Sequence, residues 1–323
     1  MNSPERRRIL ITGGSGMLGH NIVRLLASDP DFEIVLPLRT PQPSLLKQYP
    51  HVRIVQADLS DAGQMSRILA DVEPKVIVHC AASGVRPARP TWFEMINFNV
   101  QATLRLFEAS CSLAECHFVY ISTGLVYRSQ NRRLSETDPV DTLHPYGASK
   151  VAAECLLRAG ATEFKRHLTV LRPFSFTGLH DGGGRLFPSL LRAAMRNQPV
   201  RLSSGMQYRD FCCVQDIAGA VAATLRRQRT ESIEIFNLGT GEWKTLRETI
   251  ETVCREIDLD AELQFGELPY HPYEPMHLVA DIRRATELPW RPATNLAFAV
   301  WELARSDFPA LKVRRPEASR CPR

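Results

Sequence analysis

Short β-branched and apolar runs alternate, along the first half of the chain, with longer stretches whose apolar positions recur every three or four residues. The runs predict strands at Arg8 to Thr12, Glu33 to Leu38, Val52 to Gln56, Lys75 to Cys80, His117 to Ser122 and Leu168 to Arg172. The amphipathic stretches predict helices over Met17 to Ser28, Ala62 to Ala70, Trp92 to Ser110 and Tyr146 to Ala161. A parallel sheet covered by helices leaves this repetition in a sequence, so the expected fold is a doubly wound α/β one. From Arg172 the texture changes. Pro, Gly and aromatic residues crowd RPFSFTGLHDGGGRLFP and GELPYHPYEPMH, which read as long loops of the kind that bind ligands. Around them helices are expected over Gly184 to Asn197, Val214 to Arg227 and Leu246 to Ile257, and a strand over Glu234 to Leu238.

The first strand runs into a glycine loop. In ILITGGSGMLG, Gly13 permits a tight turn, Gly16 lets a diphosphate approach backbone N–H groups, and Gly19 lets helix pack on strand. Its place between a strand and a helix at the head of a βα series points to dinucleotide binding, hence a Rossmann-type sheet. An NAD site usually ends its second strand in a carboxylate that takes the ribose hydroxyls. Here the strand end reads VLPLRT, and Arg39 stands where that acid is expected. A guanidinium suits the 2′-phosphate of NADP, so NADP(H) is preferred and NAD(H) remains open; a solvated arginine or one stacked on adenine also fits. Asp58 in QADLSD is placed to accept from the adenine amino group, while Ser60 or Asp61 nearby suits the cap of the next helix.

Tyr146 and Lys150 in HPYGASK lie one helical turn apart, with Pro145 fit for a helix start. An ammonium near a phenol draws the tyrosine from its ordinary value of ~10 toward neutrality, making a usable acid or base. By spacing alone, a surface pair is equally consistent. Upstream, YISTGLVY ends a β-run in Ser122 and Thr123, whose hydroxyls would point into the crevice at the carboxyl edge of the sheet or cap the following turn.

Composition narrows the classes further. The chain has 323 residues with 40 Lys and Arg against 35 Asp and Glu, a dispersed excess of +5 that argues against nucleic-acid binding. The end clusters Arg6 to Arg8 and Arg314 to Arg315 read as solvated tails. No apolar stretch approaches the ~18 residues of a membrane span, and the run after Arg8 breaks at glycines too early for a signal peptide, so a cytoplasmic protein is expected. Cys80, Cys111, Cys116, Cys155, Cys212, Cys213, Cys254 and Cys321 include no C-x-x-C pair; they read as buried free thiols, with no metal expected.

Together TGGSGMLG, HCAA (residues 79–82), FNV (98–100), ISTGLVY and YGASK resemble the extended short-chain dehydrogenases/reductases. LRPFSFTG, RDFCCVQDIA, FNLGTGE and ADIRRATELPWRP continue the likeness in the order seen in the nucleotide-sugar branch, the NAD(P)-dependent epimerase/dehydratase family. The resemblance implies a Rossmann domain over residues 1–173, to which 211–238 returns, and a smaller α/β substrate-binding domain over 174–323. It makes Thr123, Tyr146 and Lys150 catalytic; it also places Tyr146 and Lys150 against the cofactor, the ammonium on the nicotinamide ribose, and Thr123 against the substrate. Asn99 matches an asparagine supporting the lysine and an active-site water, and Ala81 and Ala82 match small residues beneath the cofactor. Ser15, Met17, Leu59, Ser122 and Pro173 complete the expected cofactor shell. Arg209 matches an arginine that clamps the substrate diphosphate, and Ser83, Ser175, His180 and Arg185 are expected beside the substrate. A homodimer is implied, its seam formed by the helices over Trp92 to Ser110 and Tyr146 to Ala161.

Departures from the family pattern narrow the chemistry. Sugar 4,6-dehydratases of this kind carry an Asp-Glu pair after the catalytic Thr; here Gly124 and Leu125 follow, which argues against dehydration. The 3,5-epimerising reductases add a cysteine at the position of Gly124 and a histidine; only His180 is present, so it reads as a substrate-loop residue. Phe174 and Ser175 replace the usual Asn-containing strand end, and Leu288-Pro289-Trp290 replaces Leu-Gly-Trp. What remains is hydride transfer at a sugar carbonyl or alcohol. The expected reaction is reduction of an NDP-4-keto-6-deoxyhexose with NADPH, and the alternative is 4-epimerisation with retained cofactor. A non-catalytic NADP-sensing protein is the rival from another class; loss of Tyr146 or Lys150 would have marked it, and both are present. Reduction of a non-sugar ketone stays open within the enzyme class.

Overall fold

The computed structural model describes residues 6–40, 48–84, 91–182 and 184–317; Cys321 and the first five residues fall outside these. Along the chain come β1 (Arg7–Thr12), α1 (Met17–Leu26), β2 (Phe32–Leu38), β3 (Arg53–Gln56), α2 (Ala62–Val72) and β4 (Val76–His79). Helix α3 follows in three stretches, Trp92–Met95, a π-helical Ile96–Ala102 and Thr103–Ser110. Then come β5 (His117–Ile121), a 3-10 turn at Gly124–Val126, α4 (Pro145–Glu163), β6 (His167–Pro173), β7 (Ser175–Thr177), α5 (Leu186–Met195), β8 (Val200–Leu202), β9 (Tyr208–Arg209) and β10 (Phe211–Cys213). The chain continues with α6 (Val214–Arg226), β11 (Ile233–Leu238), α7 (Leu246–Glu256), β12 (Leu263–Phe265), β13 (His277–Leu278) and α8 (Leu296–Asp307).

Seven strands pair in the order β11-β6-β5-β4-β1-β2-β3, and every pair is parallel. The chain builds outward from β1 to β3 and then crosses back to β4, so the order reverses between β1 and β4, where open α/β sheets bind ligands. Alternation along β1 feeds two cores. Ile9 and Ile11 face α1 and α6 with Ile22, Val23, Ile217 and Val221, whereas Leu10 faces α2, α3 and α4 with Leu69, Leu106, Phe107 and Leu157. The doubly wound α/β fold follows from strands that are apolar on both faces.

A separate apolar core joins α5, α7 and α8 through Leu190, Leu191, Ile250, Val253, Val300 and Leu303. Helix α8 was not among the expected elements. Asn295 caps it, its side chain accepting from the Ala297 N–H at 2.8 Å. Helix α5 begins at Leu186 rather than Gly184, because Gly184 has φ 94° and Arg185 is extended. Arg6, Arg314 and Arg315 are exposed, in keeping with solvated ends, but Arg7 and Arg8 are docked. Arg7 and Arg8 donate to the carbonyls of Leu225 and Val72, both at 2.6 Å, satisfying the last turns of α6 and α2. Arg315 lies over the rings of Phe298 and Trp301. The seven described cysteines are free thiols; Cys116, Cys212, Cys213 and Cys254 are buried, but Cys80 and Cys111 are half-buried and Cys155 is exposed on α4. Among the described residues, no helix is long and apolar enough to cross a membrane.

Candidate active site

The carboxyl ends of β1 to β6 open into one cleft of about 1260 Å³, larger than the ~300–1,000 Å³ of a single small-ligand site. Segments after β1 (Gly13 to Gly19), β2 (Arg39), β3 (Asp58, Leu59), β4 (Ala81 to Gly84), β5 (Ser122, Thr123) and β6 (Pro173 to Thr177) line it.

The glycine loop fits a dinucleotide diphosphate. Gly13 has φ 68°, and a Cβ there would stand 2.7 Å from the Ala81 nitrogen. A Cβ on Gly19 would stand 2.2 Å from the Gly13 carbonyl oxygen, so the helix can seat on the turn only through glycine. Gly16 is the N-cap of α1 and brings no side-chain cap, which leaves the first N–H groups turned toward the cleft beside Ser15 and Met17. The ends of β2 and β3 lie together. Arg39 is exposed there and draws on the Asp58 carboxyl, which is held below the usual carboxylate range chiefly by the Ser60 hydroxyl and N–H, at 2.6 and 2.9 Å. The cap of α2 is Asp61, which accepts from Gln64 N–H at 2.9 Å.

Thr123 and Tyr146 share the cleft, and Lys150 lies below its floor at 1% exposure. Burial, not the lysine, governs Tyr146: it pushes the phenol up, and the charge that opposes it is Arg185. Lys150 was expected to draw this phenol toward neutrality; burial outweighs any such pull. The Lys150 Nζ sits 4.1 Å from the centroid of the Tyr120 ring, and burial pulls this ammonium down to about 7 against the opposing pull of Glu154.

Asn99 does not reach the cleft. From the π-helical stretch it accepts from Ser83 N–H at 2.7 Å and donates to the Ser83 carbonyl at 2.8 Å and to the Ser149 hydroxyl at 2.9 Å. It thereby fixes the loop after β4 against the turn of α4 that carries Tyr146. The Ser122 hydroxyl is likewise turned away, donating to Glu154, so this residue offers the cleft only its backbone. Ala81, Ala82, Leu59, Pro173 and Ser175 line the cleft.

Two cations that line the cleft are held by acids. Arg209 pairs with Glu274 and donates to the Tyr208 carbonyl at 2.7 Å. Arg185 donates to the Phe176 carbonyl at 2.6 Å and lies 3.3 Å from Asp181, with Met17 Sδ at 3.5 Å. His180 is at the rim, but its ring stacks on His20 of α1 with centroids 3.8 Å apart. Glu274 and His144 were missed. His144, two residues before Tyr146, caps α4 and stands edge-on to the tyrosine ring at 6.4 Å; Glu274 lies in a loop whose only signal was its aromatic and proline content. Phe174 covers Gly124, where a Cβ would meet the ring at 2.8 Å. No side chain fits between them without displacement.

A parallel sheet with a glycine cradle at its switch point and a Tyr-Lys helix beside it defines a nucleotide-binding α/β oxidoreductase. Residues 9–239 match the NAD dependent epimerase/dehydratase family, and the chain belongs to that family as an extended short-chain dehydrogenase/reductase of its nucleotide-sugar branch. It is 29% identical over 247 residues to a dTDP-D-glucose 4,6-dehydratase of Mus musculus, covering 72% of this chain and 68% of that one. It is 25% identical over 309 residues to a UDP-glucose 4-epimerase of Lactobacillus helveticus, covering 88% and 92%. The structure of MoeE5 in complex with UDP-glucuronic acid and NAD superposes with a TM-score of 0.83 at 26% identity, covering 94% of this chain and 100% of that one.

Proposed function

We propose that this protein is an NADP(H)-dependent reductase of a nucleotide-linked 4-keto-6-deoxyhexose. One observation carries the reading: the Thr123 and Tyr146 hydroxyls share a cleft with a dinucleotide cradle, while Gly124, covered by Phe174, has no room for the acid that dehydration needs. NADP(H), when bound, supplies the hydride. The protein handles the proton and the orientation. Thr123 holds the sugar oxygen, Tyr146 donates its phenolic proton to that oxygen, and the Lys150 ammonium stabilises the phenolate left behind. Arg209 exchanges Glu274 for the substrate diphosphate, a better bidentate partner for a guanidinium. Arg39 at the end of β2 supports the preference for a 2′-phosphate.

The epimerases among the relatives favour a second reading, 4-epimerisation with retained cofactor. Incubation with NADPH and several nucleotide-linked 4-keto-6-deoxyhexoses, beside unreduced nucleotide hexoses, separates the two. Stoichiometric loss of NADPH absorbance supports reduction; conversion of the sugar without loss supports epimerisation. No change with any sugar nucleotide overturns both. We further propose a homodimer through α3 and α4, because Trp92, Phe93, Ile96 and Leu156 leave large apolar side chains exposed on these two packed helices.

A further inference from the structure

Beneath the cleft floor lies a buried polar cluster that the proposed reaction does not use. Glu154, on α4, is 1% exposed and accepts from the Ser122 hydroxyl, from Arg172 Nε at 3.2 Å and from Arg172 Nη2 at 2.5 Å. Arg172 also donates to the Tyr127 hydroxyl at 2.7 Å, which donates to Asn237 Oδ1 at 2.8 Å. The cluster thus joins α4 to the ends of β5, β6 and β11. Stability is a weak reason for such a pair, since desolvation of two buried charges matches or exceeds their attraction. Its position suggests a stronger one. Glu154 follows Lys150 by four residues and shares its face of the helix, and Ser122 immediately precedes Thr123.

The groups that face Lys150 from neighbouring elements are His79 and Cys80 at the end of β4, Tyr120 on β5, and Tyr146 and Glu154 on α4. Burial pulls His79 down to about 3 and pushes Cys80 up to about 12, and both phenols are also pushed up. At neutral pH these four are uncharged. Glu154 is then the anion that bears on the ammonium.

We propose that Glu154 is a positioning residue of this active site: its carboxylate, clamped by Ser122 and Arg172, keeps Lys150 an ammonium beneath Tyr146 and ties that charge to the strand end carrying Thr123. The inference rests on the reading of Tyr146 and Lys150 given above. It is tested first without cofactor or substrate. In protein carrying 13Cε-lysine, with Lys150→Met identifying the resonance, the wild-type lysine titrates near 7. In Glu154→Gln the midpoint falls by about one pH unit, a tenfold loss of ammonium above it, and Glu154→Asp restores it. The alkaline limb of kcat moves down in step, while KM for the cofactor stays within about twofold.

Glu154→Gln leaves Arg172 buried without a counter-charge, so the double variant Glu154→Gln with Arg172→Gln is examined beside it. It shows a smaller displacement of the same sign, because the guanidinium paired to Glu154 opposes part of the carboxylate's pull on Lys150 and is removed with it. An unmoved lysine midpoint in the double variant, or a kcat lowered equally at every pH, overturns the proposal. Failure to turn over any sugar nucleotide would instead strike the reductase reading, and the lysine titration would still decide the role of Glu154.

Discussion

A phenol buried like Tyr146 is a proton donor rather than a base at neutral pH, since burial pushes it up and Arg185 only partly opposes this. That sign suits reduction, in which the tyrosine gives its proton to an alkoxide as it forms. Tyr146→Phe is expected to lower kcat by roughly 10³-fold while cofactor affinity, measured by fluorescence quenching, stays within about twofold. Arg209→Ala should raise KM for the nucleotide sugar by about 10- to 100-fold, the scale of a lost charge-assisted pair. An unchanged KM in steady-state assays would remove the diphosphate from the proposed substrate. Arg39→Ala should lower the ratio of kcat/KM for NADPH over NADH by about tenfold; a ratio that does not move would leave Arg39 a surface residue.

Among the elements, those fixed by local rules were legible and those fixed by distant partners were not. The glycine loop could be read because a left-handed turn and two close backbone approaches each leave a glycine in the sequence. The central strands were read to within a residue or two at each end, since they are buried on both faces. By contrast β7 to β10, β12 and β13 are two or three residues long, too short to show a period. Nothing in the sequence marked Arg172 and Glu154, because the network that buries them draws on segments far apart in the chain. Leu288 and Trp290, the two positions kept from Leu-Gly-Trp, are buried, and the indole N–H donates to the Asp216 carbonyl at 2.7 Å; nothing in the structure explains Pro289 between them. Gly19→Ala, which drives a methyl group onto the Gly13 carbonyl, should lower the melting temperature and abolish cofactor binding by calorimetry.

At the scale of the whole molecule, the apolar side chains of Phe93 and Leu156 stand open on neighbouring helices. Phe93→Glu with Leu156→Glu should convert a dimer to a monomer in sedimentation experiments, and a wild-type chain that sediments as a monomer at micromolar concentration would end that proposal. Behind Arg209, the Asp210 carboxylate gathers the Thr240 N–H and hydroxyl and the N–H groups of Gly241 and Ala280, at 2.7 to 3.2 Å. Gly239 leaves it just enough space, since a Cβ there would approach to 2.4 Å. The backbone that presents Arg209 is thereby bolted to two distant segments of chain at once. On the proposed reading, the cleft then measures its ligands against a fixed gauge: a molecule whose reacting carbon and phosphates are spaced too closely or too far apart cannot touch both ends together.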